Sequence, residues 1–190
     1  MSFLDKIAAT LTPPESDEDR VTAHREAKAL APDNPWLARA LSHHEQIEAA
    51  FATALNSSAE SEATKAVKEL SVLLIAHSVA EEVALYPVLV MEGHKAHATE
   101  AYQEQQMAKV QMAELERLQP LTREWRDKLE HIRGAVLHHI YREESTWFPE
   151  LIRETAPADL AMIDSRFSEE FDRSMGRSAT STATTSTVAF

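Results

Sequence analysis

The chain has 190 residues, 44% of them apolar and 26% charged, with a formal net charge of −12. That length suits one domain with flanking segments, and the charge argues against nucleic acid, whose phosphates are met by Lys and Arg. With no cysteine, disulfides, iron–sulfur clusters and thiolate metal sites are excluded, so any metal must be held by nitrogen and oxygen.

Three glycines among abundant Ala, Glu and Leu favour an all-α fold. Residues 1–35 read as an N-terminal arm. Met1 to Leu11 suits a short amphipathic turn or helix, ended by Pro13 and Pro14. Asp5 and Lys6 interrupt its apolar stretch, so it does not resemble a signal peptide. A helix starts at Ser16, where Asp17, Glu18 and Asp19 suit the positive end of the dipole, and runs to about Ala31. Asn34 is placed to cap the next helix and Pro35 to occupy its first position.

Residues 36–153 carry four core helices, over about Trp36–Leu55, Glu62–Tyr86, Lys95–Leu118 and Thr122–Trp147. Pro87 and Gly93 mark the end of the second and the loop after it. Short-to-moderate loops predict an up-down-up-down four-helix bundle. Residues 154–177, helical from Pro157 to about Arg173, would pack on its outside, and 178–190 form a low-complexity, disordered tail. The longest apolar run, Leu70 to Ala80, is broken by Ser71, His77 and Ser78. It is far short of the roughly 20 residues of a membrane span. No membrane partner is expected, and the lack of disulfides agrees with a cytoplasmic location.

Within the core, one phrase occurs twice. His77 and Glu81-Glu82 lead to Tyr86-Pro87, and His139 and Glu143-Glu144 lead to Phe148-Pro149. Every shared position is offset by 62 residues, as from His77 to His139 and from Glu81 to Glu143. Residues four apart share a helix face, so each copy sets an imidazole beside a carboxylate. An isolated pair of this kind is usually a surface contact. These two lie on the apolar stripes of their helices, where an unpartnered carboxylate is costly, and together they point to a metal site.

His44 on the first core helix is a further candidate ligand, set against a core histidine bonded to a backbone carbonyl. On the third helix His94 and His97 fall near the start, while Tyr102 and Gln105 fall at ligand depth. Tyr102 is the chosen ligand, since phenolate suits ferric iron, with packing as the competing role; Gln105 suits a supporting hydrogen bond. Glu82 and Glu144 read as solvent-facing or salt-bridged, and Tyr86, Trp147 and Phe148 as closing the core. Glu81 and Glu143 can bridge two ions about 3.5–4 Å apart. Mixed imidazole and carboxylate suit iron, manganese or zinc, and two iron ions fit best.

These residues resemble the hemerythrin-like, or HHE cation-binding, family over about Trp36 to Ile152. The matching positions are His44 (in His43-His44-Glu45-Gln46-Ile47), His77 with Glu81, and His139 with Glu143. The chain departs on the third helix. Where the family usually has Ala-His-x-Glu-His it has Ala101-Tyr102-Gln103-Glu104-Gln105, which counts against reversible dioxygen carriage. The resemblance implies an oxo- or hydroxo-bridged diiron centre. The expected partners are dioxygen, peroxide or nitric oxide, in an oxidative or general stress response. Three readings stay open: a gas sensor without turnover, a peroxide-consuming enzyme, and a structural or interaction bundle.

Overall fold

The computed structural model describes residues 15–176, and among them there is helix and turn but no strand. The Met1–Leu11 segment and the tail from Ser178 lie outside the described residues.

Helix α1 (Asp17–Leu30) opens on a capping box. Ser16 Oγ accepts from the Asp19 amide at 3.1 Å, and Asp19 Oδ2 accepts from the Ser16 amide at 2.9 Å. Two amides beyond the reach of any helix carbonyl are thereby satisfied. A 3₁₀ turn, Ala31–Asp33, leads into α2 (Pro35–Leu55). Pro35 takes the first position, where its missing N–H is no loss. Asn34 does not cap α2 with its side chain. Its Nδ2 donates backward to the Leu30 carbonyl at 2.8 Å and closes α1 instead.

The two aromatic-proline pairs interrupt helices rather than end them. Helix α3 (Glu60–Ala84) is followed, across Leu85, by α4 (Tyr86–Met91), and then by α5 (Lys95–Leu115), which stops short of Leu118. Helix α6 (Arg123–Arg142) passes through a wide turn, Glu143–Trp147, into α7 (Phe148–Glu154). Proline lacks the N–H and crowds the carbonyl four residues back, so the ladder breaks locally and resumes beyond. In the second copy the break is spread over a π turn, in which the Phe148 amide donates to the Glu143 carbonyl.

Helices α2, α3, α5 and α6 form a helical bundle: each packs on the next, and α6 returns against α2. Trp36, Phe51, Leu70, Leu115, Trp125 and Leu129 fill its interior. Helix α1 lies over the π turn, α2 and α6. Helix α8 (Pro157–Ser174) lies along α3 and α2 and buries Ile163, Phe167 and Phe171. The segment 60–91 is long and apolar enough by length and composition to cross a membrane, yet most of its apolar window is buried within the bundle. It also carries His77 and Glu81 inward, as a core helix can.

Phe167 is wholly buried, so Phe167→Ala should leave a cavity and destabilise the protein by about 3–5 kcal/mol. Urea unfolding should show a lower midpoint with the slope unchanged. An unaltered midpoint would mean that α8 is not part of the cooperative core.

Candidate metal centre

Four-residue spacing puts His77 and Glu81 on one face of α3, and His139 and Glu143 on one face where α6 enters the π turn. The bundle turns both pairs inward: Glu81 and Glu143 are wholly buried, His77 and His139 nearly so. His44 joins them from the middle of α2. Its Nε2 lies 3.2 Å from His77 Nε2 and 3.3 Å from Glu143 Oε2. His77 Nε2 is 3.4 Å from Glu81 Oε1, and His139 Nε2 is 3.1 Å from Glu143 Oε1. Gln105, from α5, donates through Nε2 to Glu81 Oε2 at 2.6 Å. Each carboxylate therefore offers one oxygen to the His44–His77 side and the other to the His139–Gln105 side.

One donor atom from each of His44, His77, Glu81 and Glu143 lies within 4.8 Å of the others. Glu81 Oε1 and Glu143 Oε2 are buried and accept no hydrogen bond. An undonated carboxylate oxygen in a dry interior is costly, and a cation between the two removes the deficit. The residues present fit a metal.

The model of the hemerythrin HHE cation-binding domain matches residues 38–151, more than half of the chain. The chain belongs to that family. No curated protein and no solved structure matches it. Helices α1 and α8 lie outside the matched range.

Behind the cluster lies an outer layer of hydrogen bonds, to which α1 adds His24. His44 Nδ1 donates to Glu144 Oε1 at 2.8 Å, and His24 Nδ1, from α1, lies 3.1 Å from the same oxygen. His139 Nδ1 donates to Glu104 Oε2 at 2.8 Å, and Arg142 Nη1 holds the other Glu104 oxygen at 3.0 Å. These bonds fix which ring nitrogen faces the centre. Glu144 is thus a buried partner of His44, not a solvent-facing charge. The π turn widens the helix at this point, and both neighbouring carboxylates are buried. Both expected salt bridges form, Glu144 with His44 and Glu82 with Lys109 Nζ at 2.6 Å.

The third helix differs from expectation. The inward stripe of α5 runs through Ala98, Ala101, Gln105 and Met112. Tyr102 lies one step round from Ala101 and is 48% exposed. The structure does not bring it to the cluster, and Gln105 occupies the place chosen for it. Tyr86 fills a role that sequence reasoning missed. Its buried hydroxyl lies 3.4 Å from Glu81 Oε2 and 3.5 Å from Glu143 Oε1. The available signal was the aromatic position of the repeat, where one copy has a phenol and the other, Phe148, none.

Without an ion, the HHE cluster holds protons in its place. Burial disfavours a charged His44, but the adjacent Glu143 and Glu144 carboxylates overcome it and push its pKa up to about 10. His139, likewise buried, is carried up to about 10 by Glu143 and Glu104. Burial first, and then the Glu143 charge, push Glu81 well up. Glu143 goes the other way: His139 and His44 overcome its burial and hold it below the usual carboxylate range. Burial and the charge on His44 hold His77 well down.

Below pH 10 His44 and His139 are protonated in the metal-free protein, and a metal must displace those protons. Uptake at pH 7 should release protons, and apparent affinity should rise with pH toward about 10. Titration calorimetry in buffers of differing ionisation enthalpy checks this. Release of no protons at pH 7 would exclude the protonated cluster.

Proposed function

We propose that the protein is a non-haem diiron protein that binds or reacts with a small oxidant or diatomic gas: dioxygen, peroxide or nitric oxide. The observation that carries this reading is the split presentation of Glu81 and Glu143, one oxygen to each side of the cluster. Two carboxylates so disposed suit a pair of ions sharing both. His44 and His77 would serve one ion, and His139 with Gln105 the other. Manganese suits the same donors, and zinc would fill them without supplying redox chemistry.

When bound, the iron pair would supply the electron changes and open positions for the small molecule. The chain's own residues supply the rest. Phe148 stacks on His44 at 5.9 Å and meets Trp36 edge-on at 5.4 Å, which keeps water from the His44 side. Tyr86 points a hydroxyl at both carboxylates. Burial and the negative charges of Glu81 and Glu143 push its pKa well up, so it stays protonated and acts as a hydrogen-bond donor. A buried site of this kind admits small molecules and excludes large ones.

Peroxide dismutation is the turnover to test first, because two peroxides yield two waters and one dioxygen with no further reductant. A sensing role would show a reversible spectral change without dioxygen evolution.

Metal analysis and visible spectroscopy of the aerobically purified protein test the reading. Two irons per chain are expected, with the spectrum unchanged in Tyr102→Phe and the metal lost in Glu81→Ala. Tyr86→Phe should retain iron but alter the rate of reaction with peroxide. Absence of stoichiometric iron, even after anaerobic loading, would overturn the diiron reading.

A further inference from the structure

A second group of metal-type ligands lies outside the buried cluster, at the junction of α4, α5 and α7. Gly93 sets it up. With φ at 97°, it closes α4 in a Schellman motif: the His94 amide donates to Leu89 O at 2.8 Å and the Gly93 amide to Val90 O at 3.2 Å. His94 is thereby fixed as the residue that starts α5, and His97 follows on the same face of its first turn. Their rings stack, with centroids 5.4 Å apart.

From the other side α7 presents Glu150 and Glu154, one turn apart. Glu150 Oε2 lies 3.1 Å from His97 Nδ1 and 3.6 Å from His94 Nδ1. Glu154 Oε2 lies 2.8 Å from His94 Nε2, while its other oxygen takes Arg153 Nη2 at 2.8 Å. One donor atom each from His94, His97 and Glu150 falls within 4.8 Å of the others. Donors about 3.3 Å apart are what a tetrahedral ion with bonds near 2.0–2.1 Å requires. The four side chains are about 20–35% exposed, open enough for an ion to arrive from solution and sheltered enough to hold it.

We propose that His94, His97 and Glu150 form a second cation site that takes a divalent first-row ion of the zinc type, with Glu154 orienting His94 from its other ring nitrogen. Two imidazoles and a carboxylate, with water completing the shell, are a donor set such ions accept without sulfur. A pair of isolated His–Glu contacts would account for each distance singly. It would not account for two elements, one pinned by a left-handed glycine, converging three ligands on one point.

The site is separate from the buried centre yet adjoins it. Trp147 stands between them, stacked at 6.1 Å on His97 and edge-on at 5.6 Å to His139. His139 is also the most exposed of the three imidazoles of the cluster, at 7%. An ion held here therefore sits next to the more open side of the centre.

Zinc titration of the iron-treated full-length protein by calorimetry tests the proposal, beside His94→Ala/His97→Ala and Glu150→Gln, with urea midpoints as the folding control. The double variant should bind one zinc fewer per chain at unchanged iron content, and Glu150→Gln should bind that zinc at least tenfold more weakly. Equal zinc stoichiometry and affinity in all three proteins would overturn it. Because the comparison is a difference between variants, the result stands whether or not the buried centre takes iron.

Discussion

The fold is organised around two carboxylates that a helical bundle would ordinarily reject. Glu81 and Glu143 are wholly buried and close enough to be bonded by one hydroxyl, that of Tyr86. Two like charges in a dry interior repel and lose their hydration, and that penalty amounts to several kcal/mol per ion. It must be offset by protons, on the neighbouring imidazoles and on Glu81 itself, or by metal. Both solutions use the same atoms. The metal-free cluster is thus an electrostatic imitation of the loaded one, with His44 and His139 positively charged where an ion would otherwise lie.

That constraint accounts for features that packing alone leaves unexplained. A bundle core built only for stability would continue Leu, Ala and Val through the level of His77 and His139. Here the level is polar throughout, and the polar groups are held from behind: His44 by Glu144, His139 by Glu104, and these in turn by His24 and Arg142. The π turn belongs to the same logic. Helix α1 lies over this turn and brings His24 to Glu144, so Glu143 faces the cluster and Glu144 is buried beneath α1.

Much of this is legible in the sequence because it is periodic. The paired His-x-x-x-Glu phrases fix two helix faces, the apolar stripe that includes His44 fixes a third, and Ser16 with Asp19 announces the start of α1. What was not legible depends on phase or on departures from ideal helix. Tyr102 and Gln105 are three residues apart, about 60° round the helix, and spacing alone does not choose between them; the small residues Ala98 and Ala101 do, by letting α5 approach closely on their side. Glu144 depended on α1 lying over the π turn, and no residue pattern marks that turn except Pro149 after it. Tyr86 was concealed by the proline that follows, which reads as a helix end although the chain resumes its helical path at once.

The same proline positions connect the two halves of the repeat to different neighbours. After Pro87 the chain makes the short α4 and the Gly93 turn that sets His94; after Pro149 it makes α7, which carries Glu150 and Glu154. The interruption that lets Tyr86 reach the buried carboxylates in one copy, and widens the helix at Glu144 in the other, also aims both following segments at a common junction. Had the helices simply ended at the prolines, the buried cluster would still form from His77, Glu81, His139 and Glu143. The outer imidazoles and carboxylates would have no element to bring them together. Restarting the helices is what gives this end of the bundle a polar, ligand-bearing face next to Trp147, in place of loose loop.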